Sequence, residues 1–333
     1  MNDTNEPMGI LVISHGSPRR EVNAGFVAMV QRIGLRLGAP NVLPAFFSIA
    51  RPNIQDQVAE LASRGVRRIA FMPYFLYAGQ HVSQDIPTML TECGEWFPNV
   101  TMELLPTLEN DPAVEDVVVE RLMSLAASDA EQPAEGDSIE ERSYEIINRQ
   151  MGAWGGDSPE ARRIARRIVH ATADVSFARS LRIHPEAVER GRAALAAGRP
   201  IFCDVKMLQA GLTKVPVETF CAIDSEEVVQ RARSGGCTRA AAAMELFGPR
   251  LADAIVAIGN APTALWKVLE MARNGGPRPA LVVGLPVGFV GARESKQALL
   301  ESDLCYITNV GPRGGSPVAA AAMNALATLP EKE

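Results

Sequence analysis

The hydrophobic positions of this chain follow two patterns that alternate along its length. Short continuous apolar runs, of which GILVIS at residues 9–14 is the first, are followed by longer stretches with apolar residues at helical spacing. Continuous runs are typical of strands buried in a parallel sheet, and the longer spacing is typical of amphipathic helices. The first half therefore predicts an α/β fold with a parallel four-stranded sheet and flanking helices. The predicted strands are residues 9–14, 42–47, 68–74 and 100–105, and the predicted helices are residues 21–37, 53–63, 84–96 and 113–126.

The second half opens with helical patterns rather than with a strand. A helix is predicted at residues 139–150, and a second one begins with Ser158 as its N-cap and Pro159 in its first turn. Beyond them strands and helices alternate again, which predicts a second α/β domain with helices on a mostly parallel sheet. Its predicted strands are residues 200–203, 217–223, 254–258, 280–285 and 305–308, with residues 203–214 as a turn.

An acidic stretch separates the two halves. The segment ASDAEQPAEGDS, residues 127–138, contains one proline and one glycine and shows no apolar periodicity. Such a composition is typical of a linker. We therefore predict a first domain at residues 8–127, a linker at residues 128–138 and a second domain at residues 139–330.

Composition and charge exclude several classes of protein. The chain has 333 residues, of which 47% are hydrophobic, and a formal net charge of −6. This charge, without a basic stripe, disfavours nucleic-acid binding, and no apolar run is long enough to cross a membrane. The first residues lack the features of a signal peptide, so we expect a cytoplasmic protein. The five cysteines are dispersed without a CxxC spacing, which favours reduced thiols.

Two histidines follow predicted strands of the first domain. His15 comes directly after the first strand, and His81 is predicted in the loop after the third. Ligands of parallel sheets bind beyond the carboxyl ends of the strands, so both imidazoles should converge there. Converging imidazoles suit a divalent first-row metal, with Asp85 and Glu92 as possible orienting groups. Two other interpretations stay open: a nucleotide loop at Gly16, and a histidine that only forms hydrogen bonds.

A third histidine ends a basic amphipathic stretch in the second domain. In RRIARRIVHATAD, residues 162–174, apolar residues face inward and His170 falls in the last turn. A neutral-pH acid and a plain helix-end histidine both fit this position. Most of the surrounding arginines, Arg162, Arg163, Arg166 and Arg167, are predicted to form a solvated helix face, and binding of carboxylates is the alternative role for them. Glycine-rich loops from Gly259, Gly284 and Gly311 follow strands and predict an anionic ligand, either a nucleotide or a polycarboxylate.

The motifs ILVISHGSPRREVN and FMPYFLYAGQHVSQDIP resemble the short form of the sirohydrochlorin chelatases. The resemblance covers Met8 to Ala127. It implies that His15 and His81 bind the metal and assist removal of pyrrole protons. It also implies that the divalent metal, cobalt or in relatives iron or nickel, is a substrate. Short members pair two chains to complete the cleft, so the resemblance implies a homodimer or higher homo-oligomer.

The motifs ERSYEII, RRIVHATAD, CTRAAAA, IVAIGNAPTALWKVLEM and LVVGLPVGFVGARESK resemble precorrin-8X methylmutase. This resemblance implies migration of a methyl group on a corrin precursor, with His170 as the catalytic histidine. It implies substrate contacts at Ser143, Arg239, Lys214 and Asn260. A sigmatropic shift needs protonation and shape complementarity but no cofactor, so none is expected for the methylmutase.

Together the two resemblances predict a bifunctional enzyme of corrin biosynthesis that acts on tetrapyrrole substrates. Because cobalt insertion into sirohydrochlorin is an early step, we expect the methylmutase to accept the cobalt-containing precursor. The alternative is a protein that binds or delivers cobalt or a corrinoid through a degenerate chelatase module. A nucleotide-binding α/β enzyme is a third interpretation.

Overall fold

The computed structural model describes residues 7–126, 137–152 and 158–330. The chain divides into two compact units, Met1–Ala130 and Glu131–Glu333, each built around its own sheet. The predicted linker at residues 128–138 lies outside the described residues except at its end, where a helix begins at Asp137. No helix among the described residues is long and apolar enough to cross a membrane.

The first unit is a four-stranded sheet with helices between its strands. All pairings are parallel, in the order β2-β1-β3-β4, which confirms the predicted fold class. Its elements are β1 (Met8–Ser14), α1 (Arg20–Leu37), β2 (Val42–Phe46), α2 (Ile54–Ser63), β3 (Arg68–Pro73), a π-helical turn (His81–Asp85), α3 (Ile86–Trp96), β4 (Thr101–Leu104) and α4 (Pro112–Ala126).

The central strand β1 explains why this sheet is apolar without interruption. Leu11 and Ile13 point into the larger core cluster, which includes Phe71 of β3. Val12 points the opposite way and packs with Val30 of α1 in a second cluster. Because helices cover both faces, alternate side chains of the strand are buried in different cores.

The second unit carries a six-stranded sheet in the order β5-β10-β9-β8-β6-β7. Only the pairing of β5 with β10 is antiparallel among the described strands, so the predicted mostly parallel sheet is confirmed. Its elements are α5 (Asp137–Met151), α6 (Pro159–Thr172), α7 (Ser176–Ser180), β5 (Leu181–Ile183), α8 (Ala187–Ala196), β6 (Ile201–Cys203), α9 (Lys206–Gly211), β7 (Thr219–Phe220), α10 (Glu226–Gly235), α11 (Arg239–Phe247), a 3₁₀ turn (Gly248–Leu251), β8 (Ile255–Ile258), α12 (Pro262–Arg273), β9 (Leu281–Gly284), α13 (Ala292–Leu300), β10 (Tyr306–Asn309) and α14 (Ser316–Ala327).

Several local predictions were wrong. The predicted turn at residues 203–214 contains α9, and the predicted strand at residues 217–223 shrinks to the two residues of β7. The helices α7 and α10 and the strand β5 were not predicted. A strand of three residues, such as β5, is too short to show an alternating pattern. His81 does not lie in a loop, because it begins the π-helical turn that leads into α3.

The start of α6 follows its sequence signals. Ser158 accepts a hydrogen bond from the Ala161 backbone N–H at 3.1 Å, and Pro159 is the first helical residue. This N-cap was predicted and is confirmed. Ile164, Ile168 and neighbouring apolar residues of the helix are buried in the same core cluster as α14. The helix therefore keeps its arginines and His170 on its other sides.

The five cysteines are free thiols. Cys93, Cys203 and Cys305 are buried. Burial raises the pKa of Cys305 to about 11 and raises the pKa of Cys203 as well. Thiols with raised pKa values remain protonated and serve as small apolar side chains in the core.

We expect Gly16→Ala to destabilise the first unit strongly. Gly16 follows β1 with φ of +88°, and a Cβ there would lie 2.1 Å from the Ser48 carbonyl oxygen. Gly38→Ala is the matched control, because Gly38 has φ of +62° with open space where a Cβ would lie. The control carries only the left-handed backbone cost of about 1–2 kcal/mol. Amide hydrogen exchange of β1 measures both variants, and equal losses of protection would contradict the prediction.

Candidate active sites

His15 and His81 meet at the edge of the first sheet. His15 directly follows β1, and His81 lies beyond the end of β3, the strand that pairs with β1. Their ring centroids are 5.4 Å apart, and both side chains are exposed. Phe47, which follows β2, contacts both rings, with centroid distances of 4.7 Å to His81 and 6.0 Å to His15. Two imidazoles thus face a common space, with an aromatic ring beside them.

Asp85 orients His81. Its Oδ2 atom lies 2.7 Å from Nδ1 of His81, across one turn of the π-helical segment. A carboxylate that accepts a hydrogen bond from Nδ1–H fixes the tautomer of the ring. The lone pair of Nε2 is then free to bind a metal. Of the two proposed orienting groups, Asp85 and Glu92, Asp85 makes this contact.

Hydrogen bonds to backbone groups hold the loop after β1 in one shape. The His15 carbonyl accepts from the Ser48 N–H at 2.9 Å. Asn23 of α1 accepts from the Ser17 N–H at 2.9 Å and donates to the Ser17 carbonyl at 2.8 Å. The Ser17 N–H is therefore already bonded to a protein group, which weakens the interpretation of this turn as a phosphate loop. Among the described residues no group of three or more His, Cys, Asp or Glu side chains could hold a metal ion.

In the second unit His170 lies against the helix α5. Nδ1 of His170 is 3.0 Å from Oγ of Ser143, and the two residues are both partly buried. The Tyr144 ring packs beside the imidazole with a centroid distance of 5.1 Å. Ser143, which the resemblance assigns to the substrate, thus forms a hydrogen bond with the candidate catalytic histidine. Because this contact joins residues 27 positions apart, only the packing of α5 on α6 creates it.

Tyr144 also belongs to a charged triad. Its hydroxyl donates to Glu140 at 2.9 Å, and Arg167 donates to the Tyr144 oxygen at 2.6 Å and to Glu140 at 2.9 Å. The hydrogen bond from Tyr144 lowers the pKa of Glu140. The guanidinium of Arg166 lies 4.4 Å from the centroid of the same tyrosine ring. Tyr144 therefore links His170 to the basic side chains of α6.

Asp204 organises the loop that carries Asn260. The carboxylate is fully buried after β6, and it accepts hydrogen bonds from the backbone N–H groups of Gly259, Asn260 and Ala261 at 3.1, 2.8 and 2.7 Å. Burial raises the pKa of Asp204, and the three backbone donors oppose that rise. The sequence predicts that N–H groups at this loop bind a ligand anion. Here a protein carboxylate already occupies them.

Two further residues that the resemblance assigns to the substrate, Arg239 and Lys214, lie in different parts of the second unit. Arg239 begins α11 and shares Asp224 with Lys206, at N–O distances of 3.4 and 2.8 Å. Lys214 lies elsewhere, where its backbone N–H donates to Asn324 of α14. Within the described residues neither Arg239 nor Asn260 forms a hydrogen bond, ion pair or ring contact with His170. His184, which has no predicted role, packs edge-on against Tyr306 at 5.5 Å.

Lys296 is a buried cation that sequence reasoning missed. Its ammonium donates to Asn309 at 3.0 Å and to the Arg313 carbonyl. The Arg313 side chain in turn pairs with Asp174 and donates to Ser176 at 2.9 Å, directly after the helix that carries His170. Burial, with a smaller contribution from Arg313, lowers the pKa of Lys296 to about 8. Lys296 thereby holds the loop after β10 in place.

These features define an α/β enzyme with a histidine-centred candidate site in each of its two units. The family model for precorrin-8X methylmutase, CbiC, matches residues 138–329, and the CbiX family model matches residues 9–125. The chain belongs to the precorrin-8X methylmutase family.

Individual relatives agree with this assignment. A precorrin-8X methylmutase of Sinorhizobium sp. is 43% identical over 199 residues, which cover 58% of this chain and 94% of the relative. A cobalt-precorrin-8 methylmutase of Leptospira interrogans is 38% identical over 210 residues, with coverages of 59% and 95%. A crystal structure of precorrin-8X methylmutase from Thermus thermophilus has a TM-score of 0.52 and 38% identity, and covers 57% of this chain and 96% of that one.

We expect Lys296→Met to change how stability depends on pH. Because the pKa of Lys296 is lowered from 10.5 to about 8, the unfolded chain binds more protons than the folded chain between these values. This group therefore raises the free energy of unfolding as pH rises from about 8 to about 10, by up to about 3 kcal/mol. The stability of wild type relative to Lys296→Met should rise over that range.

Urea midpoints of the two proteins at matched pH values measure this difference. Lys267→Met is the control, because the hydrogen bond with Glu270 raises the pKa of Lys267. Its difference from wild type should stay flat up to about pH 10. A flat profile for Lys296→Met as well would contradict the prediction.

Proposed function

We propose that the chain is a bifunctional enzyme of corrin biosynthesis. The second unit moves a methyl group on precorrin-8 or its cobalt form, and the first unit inserts Co²⁺ into sirohydrochlorin. Membership of the methylmutase family and the contact between Ser143 and His170 support the first activity. The CbiX match and the paired imidazoles of His15 and His81 support the second.

In the proposed methyl shift His170 is the acid. As an imidazolium, His170 donates its Nδ1–H to the Ser143 oxygen and carries a second proton on Nε2, which it can pass to the conjugated macrocycle to leave a neutral imidazole. Protonation makes the macrocycle electron-poor, and the methyl group migrates to the adjacent carbon. Loss of a proton then returns the macrocycle to its original charge. The atoms balance without a co-reactant, so this step requires no cofactor. Ser143 acts as a positioning residue in this scheme.

The acidic side chains of the substrate need cationic and polar partners. We assign Arg239, Lys214 and Asn260 to this binding role on the basis of the family resemblance. Arg239 and Lys214 carry fixed positive charge, which carboxylates bind strongly. Relatives of this chain are named for both the metal-free and the cobalt-containing substrate. We propose the cobalt-containing form here, because the chelatase-like unit would supply cobalt early.

His170→Ala should lower kcat for the methyl shift by at least about 10²-fold, the usual contribution of a general acid. Binding of the corrin product, titrated by its visible absorbance, should stay close to that of the wild type. His184→Ala is the control, because His184 lies in the same unit but packs on Tyr306. Ser143→Ala should lower kcat by about tenfold with little change in KM. Retained turnover in His170→Ala would remove this residue from the mechanism.

In the proposed metal insertion His15 and His81 hold the ion weakly. Two neutral imidazoles leave most coordination positions open, so the pyrrole nitrogens can replace the protein ligands. The same imidazoles can accept the two N–H protons released by the macrocycle. Asp85 keeps Nε2 of His81 directed toward the metal. Iron and nickel are possible substitutes for cobalt as the substrate metal.

His15→Ala and His81→Ala should each abolish metal insertion, and Asp85→Asn should slow it by about tenfold. The assay follows the visible spectrum of sirohydrochlorin with Co²⁺ under anaerobic conditions. His170→Ala serves as the matched control, since it should insert metal at the wild-type rate while failing in the methyl shift. An unchanged spectrum with wild type, together with measurable cobalt binding, would favour the alternative of a cobalt or corrinoid delivery protein.

We propose a homodimer or higher homo-oligomer as the working form, in the cytoplasm. The short chelatase-like unit provides one half of a cleft in the family it resembles, and a second copy would supply the other half.

A further inference from the structure

A cavity of about 400 Å³ opens in the second unit between α5, α6 and the end of α14. Its lining includes the four cationic side chains Arg163, Arg166, Arg167 and Lys214 together with the carboxylate of Glu140. The chain as a whole carries a formal charge of −6. A concave surface with four cations in a net acidic protein is therefore a local concentration of positive charge.

Most of this charge is available to a ligand. Arg167 is committed to Glu140 and Tyr144. By contrast, no carboxylate of the described residues forms an ion pair with Arg163, Arg166 or Lys214. Arg166 makes a cation–π contact with Tyr144, which leaves its N–H groups able to donate. The arrangement provides planar, preformed donors around an open space, as recognition of carboxylates requires.

Helical spacing connects this cavity to His170. Arg163, Arg166 and Arg167 precede His170 by seven, four and three positions, so all four side chains share one side of α6. Two turns of helix separate Arg163 from His170, which is about 11 Å along the axis. Tyr144 contacts both Arg166 and His170 and bridges the two ends. A ligand of macrocycle size at His170 can extend its side chains into this cavity.

We propose that this cavity is a subsite for the carboxylate side chains of the polycarboxylate substrate. Arg163 and Arg166 are the residues that bind these carboxylates. The assignment rests on the proposed methylmutase function and differs from the prediction that most of these arginines form a solvated helix face. Arg166 and Arg167 are half-buried rather than fully exposed. Charge at this subsite fixes where the macrocycle lies over His170, so Arg163 and Arg166 act in binding rather than in proton transfer.

The test compares product binding by three proteins: wild type, the double variant Arg163→Gln/Arg166→Gln, and the control Arg233→Gln/Arg273→Gln. The control removes the same charge from exposed positions outside the cavity lining. Cobyrinate, the product expected from the cobalt-containing substrate, is titrated by its visible absorbance, beside the same corrinoid with its carboxylates converted to amides. We expect Kd for the acid to rise at least tenfold in the double variant and less than twofold in the control.

The amide probe separates charge recognition from loss of structure. Wild type should bind the amide more weakly than the acid, and the double variant should discriminate between them far less. An equal weakening toward both probes would overturn the proposal. Arg163→Lys/Arg166→Lys keeps the charge and should give an intermediate Kd. A value no better than that of the glutamine variant would also overturn it.

Kinetics provide a second readout. In the double variant KM should rise about tenfold while kcat stays within twofold of wild type, which is the opposite of His170→Ala. If wild type binds the product but does not catalyse the methyl shift, the proposed function fails while the binding comparison still decides the subsite. If wild type catalyses the shift and the double variant matches it in both Kd and KM, the subsite fails alone.

Discussion

The first candidate site depends on the direction in which the strands of its sheet run. Because all four strands of the first sheet are parallel, the loops after β1, β2 and β3 meet at one edge, and His15, Phe47 and His81 come into contact there. The second sheet brings the loops after β6, β8, β9 and β10 to a common edge in the same way. In the first unit this edge brings together residues that are far apart in sequence, whereas in the second unit the packing of α5 on α6 joins Ser143 to His170.

Buried charges then fix the shapes of those loops in the second unit. Asp204 gathers three consecutive backbone N–H groups, and Lys296 gathers the Asn309 side chain and the Arg313 carbonyl. A buried charge without partners is very costly, so each loop must close around its ion for the fold to be stable. The Arg313 side chain forms an ion pair with Asp174, just beyond the end of α6, the helix that contains His170. Hydrogen bonds to buried charges, as well as packing, therefore hold these loops in place.

Much of this organisation could be predicted from residue patterns. Apolar runs locate the four strands of the first sheet, and the rule that loops after parallel strands meet at one edge of the sheet brings His15 and His81 together. The Ser158 cap is equally local. By contrast, the contact of Ser143 with His170 depends on how α5 packs on α6, which no pattern encodes. Strand β5 is held by its pairing with β10, and the arginines of α6 line a cavity only because α14 closes it. The position of Asp204 could also be predicted in this way, since it directly follows β6.

The carboxylate of Asp204 has a consequence for how relatives of this chain can diverge. This carboxylate accepts three hydrogen bonds from residues 259–261, so position 204 and this loop must change together. Asparagine at position 204 would present an amide N–H to backbone donors, and glutamate would need extra room in a site with no exposed surface. Substitution there is tolerated only with a rebuilt loop. A change at position 204 therefore indicates a rebuilt loop at residues 259–261.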